Sequence, residues 1–360
     1  MQSNYKRLGD YIRQVDVRNR DLAVDNLVGL TIEKAFIPSV ANTIGTDLSN
    51  YKVISNGQFA CSLMQVSRDG KMPIAMFKGE KGIMSPAYPM FEVYRKDELL
   101  PEFLMMWFSR KEFDREVTFW AVGGVRGSLT WEDFENLNIP VPSIEKQRKI
   151  VTEYQAVEQR IENNRRLIAT LESTAQTIYR QMFVDNIDPE NLPQGWRMGT
   201  IGDIISISSG KSLSDKVDEP NNEYKYPVAG ASGIIGYARE ANQDEKFLTT
   251  GRVGTIGVVN RYLTTAWTAD NVLVAKSKHY EYAYQVLRGV NYQELIGGGV
   301  QNLITQTGLS NSRMPIPPIE KILEYEERIS SLSSLSILFG NENDIMHNIL
   351  SLALTRLSTH

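Results

Sequence analysis

Along residues 150–182, side chains at alternating steps of four and three form one seam: Ile150, Tyr154, Val157, Ile161, Asn164, Ile168, Leu171, Ala175, Ile178 and Met182. Nine of these ten are apolar or aromatic, and such spacing is a heptad pattern. Arg160, Glu162, Arg165, Arg166 and Glu172 fall off the seam. Pro142 precedes the segment, where the first turn tolerates proline, and none follows within it. The pattern predicts a helix over 143–184, about 63 Å long at 1.5 Å per residue. Adding 175 to each number gives a second seam: Tyr325, Ile329, Leu332, Ser336, Phe339, Asn343, Met346, Leu350, Ala353 and Leu357. The run Gly340-Asn341-Glu342-Asn343 weakens it, by about 1 kcal/mol for the glycine. A continuous helix with a soft centre, or one with a short break, is expected over 318–360.

The same offset pairs Pro140-Val141-Pro142-Ser143-Ile144-Glu145-Lys146 with Pro315-Ile316-Pro317-Pro318-Ile319-Glu320-Lys321. It also pairs Gly123-Gly124-Val125 with Gly298-Gly299-Val300, Thr130 with Thr305, and Asn136 with Asn311. Over 123–146 against 298–321, 10 of 24 positions are identical without a gap, far above chance, so the chain is an internal duplication. Leu8-Gly9-Asp10-Tyr11-Ile12 parallels Ile201-Gly202-Asp203-Ile204-Ile205 at an offset of 193, which gives the first half 18 extra residues. Two related helices in one chain most simply pair with each other, antiparallel about a pseudo-twofold axis; pairing between chains is the alternative. Asn164 and Asn343 would fix the register, as polar seam residues do.

Before and between the helices the pattern is mixed. Phe91-Glu92-Val93-Tyr94, Gly257-Val258-Val259-Asn260 and Asn271-Val272-Leu273-Val274 read as short strands, and 102–108 as a helix. Residues 185–196 are a polar linker with proline and glycine. The fold class is α+β: two globular domains and two long helices. The divisions are 1–142, 143–184, 185–317 and 318–360.

Composition narrows the function. The 360 residues carry 39 Lys+Arg against 43 Asp+Glu, a net charge of −4, and 42% hydrophobic residues. That is an ordinary globular composition, and any nucleic-acid contact must use local basic residues or partner subunits. The one cysteine, Cys61, and the three histidines, His279, His347 and His360, make no metal-ligand spacing, so no metal is expected. No run approaches the roughly 20 apolar residues of a membrane helix, and the N-terminus leads into no apolar stretch. A cytoplasmic protein without membrane contact is expected.

Enzyme signatures fail. Ser209-Gly210-Lys211-Ser212 has Ile205 where a phosphate-binding loop needs glycine. Gly230-Ala231-Ser232-Gly233-Ile234-Ile235-Gly236 has the wrong spacing for a dinucleotide fingerprint. Asp69-Gly70-Lys71 and Asp244-Glu245-Lys246 are weak nuclease-like strings, and no Ser/His/Asp signature assembles. No catalytic residue and no cofactor are assigned to this chain.

The order domain, helix, domain, helix, with Leu192-Pro193-Gln194-Gly195-Trp196 opening the second half, carries a resemblance. So do Pro-x-Pro-x-Ile-Glu-Lys at both helix starts and Gly251-Arg252-Val253-Gly254-Thr255-Ile256-Gly257 within the second domain. Together these resemble the specificity (S) subunit of type I restriction-modification enzymes, over nearly the whole chain. One departure is Glu145-Lys146-Gln147 and Glu320-Lys321-Ile322, where the family more often has Glu-Gln; the position is expected to be a helix-start contact. The resemblance implies two target recognition domains, each reading half of a bipartite, asymmetric double-stranded DNA site. It implies that the helices form an intramolecular coiled coil that sets the spacing and docks two modification subunits. Those subunits would carry S-adenosylmethionine and methylate adenine. Whether restriction (translocase and endonuclease) subunits join stays open. The competing readings are a coiled-coil scaffold with protein-binding globular domains and an enzyme with an unrecognised site.

DNA readers need donors and acceptors on exposed loops. The candidates are Arg68, Lys71, Lys78, Lys81, Ser85, Tyr88, Arg126 and Ser128 in the first half. In the second half they are Lys211, Ser212, Thr250, Arg252, Thr255, Gln301 and Asn302. Arg252 leads because it lies in the family's Gly-Arg-x-Gly element. Ser67-Arg68-Asp69-Gly70-Lys71 reads as a turn between strands.

Overall fold

A computed structural model describes residues 5–39, 41, 45–64, 66–123, 129–296 and 303–357. It divides into two compact units: Met1–Asn163 with Glu342–His360, and Asn164–Asn341. The long helices span Ile144–Phe183 and Ile319–Arg356, and each contributes to both units. The second runs through Gly340 without a break. One glycine costs too little to interrupt a helix held by packing along its length.

In the first unit, a four-stranded antiparallel sheet runs in the order Ile12–Gln14, Met90–Val93, Phe59–Cys61, Ile74–Met76. Its covered face meets the helices Pro101–Phe108 and Lys111–Gly123 in a core rich in phenylalanine. Phe59 stacks on Phe91 with centroids 4.9 Å apart, and Phe134 meets Phe91 edge-on at 5.5 Å. Val151 of the first long helix and Leu357, just past the end of the second, are buried in that same core. Further along, Ile161 packs on Met346 and Leu350, and Arg160 meets Glu342 at 3.2 Å. Gln147 is fully buried: its amide donates to the carbonyls of Glu98 (2.7 Å) and Pro142 (2.8 Å) and accepts from the Leu100 N–H (2.9 Å). The expected helix-start contact is thus a polar clamp. Ile322, its counterpart in the second unit, is buried in apolar surroundings instead.

The first unit also carries a hairpin, Val28–Leu30 with Phe36–Pro38. It is anchored by Lys34, which holds a left-handed backbone (φ 62°). The Lys34 ammonium is buried 2.8 Å from Asp114, donates to the Phe108 carbonyl and lies over the Phe113 ring. Burial lowers its pKa, and Asp114 acts against that.

In the second unit, the sheet order is Ser206–Ser209, Val272–Lys276, Phe247–Gly251, Val259–Tyr262, all antiparallel. A smaller sheet pairs Tyr226–Gly230 with Gly233–Ala238 and, in parallel, with Trp267–Thr268. The helix Tyr280–Arg288 carries Tyr282 into a ring cluster with Tyr179, Phe183 and Tyr325. Buried polar groups tie this helix to the second long helix. Arg261 meets Glu281 at 3.0 Å, the Ser333 hydroxyl donates to Glu281 at 2.7 Å, and Glu326 accepts from the Tyr282 N–H at 2.8 Å. Burial, with Glu281 nearby, raises the Glu326 pKa.

That shift predicts a pH dependence. A carboxyl whose folded pKa lies above its unfolded value adds stability at acid pH, and the gain is lost as pH rises through the folded pKa. Glu326→Gln keeps an acceptor for Tyr282, so the variant should melt higher than the parent at pH 7. The difference should shrink toward pH 4. Equal melting temperatures at both pH values would contradict the assignment.

Main-chain contacts recur between the units at the offsets read from the sequence. Tyr5 pairs with Pro140 as Met198 pairs with Pro315. The Leu8 N–H donates to Leu137 O (2.8 Å) as Ile201 donates to Ser312 O (3.0 Å). Thr130 caps Trp131–Glu135 and Thr305 caps Gln306–Ser310, each accepting a backbone N–H three residues on.

Candidate nucleic-acid interface

In the second unit, strand register gathers candidates at one end of the four-stranded sheet. Ser209 pairs with Leu273 and Gly251 with Val272, so two strands leave the sheet side by side. Beyond them, Gly210 donates to Val272 O (3.1 Å), Lys211 to Thr268 O (2.9 Å) and Arg252 to Asn271 O (2.9 Å). Lys211, Ser212 and Thr255 are exposed there. Glycine is sterically required at both exits. A Cβ on Gly210 would lie 1.9 Å from Ala269 O, and one on Gly251 would lie 1.9 Å from Thr255 O.

Arg252 is half-buried, and its Nε is covered with no hydrogen-bond partner among the described residues. Asn271, whose carbonyl receives the Arg252 N–H, likewise holds its side-chain Oδ1 buried without one. A buried polar atom left unpaired costs about 1–3 kcal/mol, which an incoming partner can recover. Arg252 and Asn271 are thus joined by one main-chain bond, and each keeps a covered polar atom without a partner among the described residues. Asn271 was missed from sequence because it reads as the first residue of a strand. Only the register shows that it backs Arg252.

Thr250 is a correction. Expected as a DNA contact, it is fully buried beside Tyr292, because both faces of the strand Phe247–Gly251 are covered. It supports the Arg252 turn from within. Gln301 and Asn302 lie outside the described residues, but Ile304 just after them donates its N–H to Arg252 O at 3.0 Å.

In the first unit the candidates separate into two groups. Cys61 pairs with Ile74 and donates to Pro89 O at 3.0 Å, so Arg68, Lys71, Ser85 and Tyr88 leave from the Cys61 end. Lys78 follows Met76, which pairs with Phe59 at the opposite end; Lys78 and Lys81 therefore lie away from the others. Val66–Asp69 is a single helical turn rather than the simple turn expected, closed by Gly70 at φ 63°. Arg68 forms a two-toothed ion pair with Asp69 at 2.7 and 2.8 Å, which lowers the Asp69 pKa. Tyr88 is half-buried against a small core, and its carbonyl accepts from Lys52 at 3.0 Å. Arg126 and Ser128 lie outside the described residues.

Every expected helix-pairing side chain (Ile150, Tyr154, Val157, Ile161, Ile168, Leu171, Ile178, Ile329, Leu332, Phe339, Met346, Leu350 and Leu357) is buried or half-buried. Among the described residues, no cluster of His, Cys, Asp and Glu is suited to hold a metal ion, and no helix is long and apolar enough to cross a membrane.

The type I restriction modification DNA specificity domain matches this chain twice, over residues 67–173 and 193–350. The chain belongs to the type I restriction-modification DNA specificity family. Members similar to it include the MjaIX specificity subunit of Methanocaldococcus jannaschii, 25% identical over 198 residues. That match covers 47% of this chain and 46% of the other. The MjaVIII specificity subunit of the same organism is 20% identical over an alignment of 388 positions, covering 91% of this chain and 85% of the other. Both are named specificity subunits of type I restriction enzymes. The crystal structure of an S subunit from M. genitalium shares the fold, with a TM-score of 0.58 at 15% identity over 98% of this chain and 95% of that one. The expected family is therefore the family found. At the Gly251-Arg252 turn of this specificity-family chain, Arg252 Nε and Asn271 Oδ1 are buried without a hydrogen-bond partner among the described residues.

Proposed function

We propose that the chain reads a bipartite, asymmetric DNA target, one half-site per unit, and delivers two modification subunits to it. The observation that carries the reading is the half-buried Arg252 at the converging ends of two strands, whose Nε, like the Oδ1 of neighbouring Asn271, has no hydrogen-bond partner among the described residues. Lys211 and Ser212 beside it suit phosphate oxygens, which fix register on a duplex without reading sequence. In the first unit Arg68 and Lys71 have the same use. The domain divisions proposed are two target recognition domains, 1–142 and 185–317, and two spacer helices, 143–184 and 318–360. The helices act as an antiparallel intramolecular coiled coil with pseudo-twofold symmetry, which fixes the separation of the half-sites and docks the partners. The partners hold S-adenosylmethionine and methylate adenine; this chain supplies address rather than chemistry, and works in the cytoplasm. The net charge of −4 fits a subunit whose partners complete the grip on DNA.

Arg252→Ala tests this. Recognition of one half-site should weaken by about 1–3 kcal/mol while the other is read as before. A uniform loss over all sequences would make Arg252 a phosphate contact, and no loss would remove it from the interface. Binding by the parent that ignored both salt and sequence would favour the scaffold reading.

A further inference from the structure

The two units fasten their reading loops by one shared main-chain contact, but they put different side chains beside it. In the second unit the third strand of the sheet, Phe247–Gly251, leads to Arg252, whose carbonyl accepts from the Ile304 N–H at 3.0 Å. In the first unit the third strand, Phe59–Cys61, leads to Leu63, whose carbonyl accepts from the Leu129 N–H at 3.3 Å. Leu129 and Ile304 are related by the offset of 175 that runs through the duplication. Leu63 therefore occupies the place of Arg252, and Met64 the place of Val253. Leu63 is core, 8% exposed. Met64 is 76% exposed, against 37% for Val253. An apolar side chain thus stands out one residue past the point where the other unit carries its arginine. Arg68 and Lys71 follow in sequence, both exposed, with Arg68 paired to Asp69.

We infer that Met64 reads a thymine methyl group in the half-site of the first unit. The inference rests on the DNA-reading function proposed above. The major-groove edge of a T·A pair carries the C5 methyl, the one apolar group among base edges there. A thioether on an unbranched chain fits such a group without a fixed geometry. Lys71, further along the same stretch of chain, suits the acidic backbone of a duplex. Arg252 in one unit and Met64, one residue past the equivalent position in the other, give the two half-sites different chemistry, which makes the target asymmetric.

The test uses the full-length chain assembled with its partner subunits, on the duplex identified by mapping adenine methylation. The half-site left intact by Arg252→Ala belongs to the first unit. Each thymine there, on both strands, is replaced in turn by deoxyuridine, which removes the methyl alone. One replacement should weaken binding about fourfold, the worth of one buried methyl. Met64→Ala should bind the thymine duplex about fourfold less tightly and be indifferent to that same replacement. Sensitivity that persists in Met64→Ala, no sensitive thymine, or a half-site without thymine would each overturn the inference. So would a Met64→Ala protein that reads DNA like the parent but loses its partner subunits, which would make Met64 a protein contact. A parent assembly with no preference for any duplex would end the DNA-reading function itself. That result is distinct, because it appears before any substitution is made.

Discussion

Tyr325→Ala will destabilise the second unit by about 3–5 kcal/mol, the range for removing a buried aromatic side chain. Tyr325 is fully buried and closes a cluster in which its ring lies 5.9 Å from Tyr179, 5.6 Å from Phe183 and 6.4 Å from Tyr282. Its hydroxyl donates to the Ala175 carbonyl at 3.2 Å, joining one long helix to the other. The contribution divides into ring and hydroxyl. Tyr325→Phe keeps the packing and loses one hydrogen bond, about 1 kcal/mol. Urea unfolding of the three proteins measures both. Equal losses in the two variants would mean that the hydrogen bond, rather than the rings, holds the helices here. A native-like Tyr325→Ala protein would remove the helix pairing from the account of stability.

A four-residue insertion in the first long helix, near Ala169, will lengthen the accepted spacer or abolish binding, and will leave the sequence of each half-site unchanged. Four residues add about 6 Å of helix, close to two base pairs at about 3.4 Å each. Four residues are a stutter, which a coiled coil absorbs by unwinding locally. The assay is selection from a pool of duplexes carrying both half-sites with spacers of graded length. Altered half-site preference with unchanged spacing would show that the helices do not measure the target.

The long helices were legible because a seam repeated over many turns leaves a periodic trace, and the duplication was legible because main-chain framework residues recur at one offset. Thr130 and Thr305 belong to that framework: each caps a short helix, a job set by local backbone. The sheets were less legible. Strands of three to six residues with both faces covered, such as Phe247–Gly251, show no alternation to read. For the same reason the burial of Thr250 was hidden, since a threonine next to a Gly-Arg turn looks exposed until its strand is found in the middle of a sheet. Asn271 and the Lys34–Asp114 pair depend on register and on contacts across long stretches of chain, which no local pattern encodes. Arg252 was legible through the family motif; the burial of its Nε without a hydrogen-bond partner among the described residues was not.

The fastening of Leu63 to Leu129, and of Arg252 to Ile304, runs from peptide group to peptide group. Such a joint has no memory of the residue that makes it. Leucine and arginine occupy equivalent places in one molecule, with the same bond behind each. Mutation can therefore sample new readers at this point while the clasp stays shut. A lineage carrying such a fold can change the words it recognises without relearning how to fold.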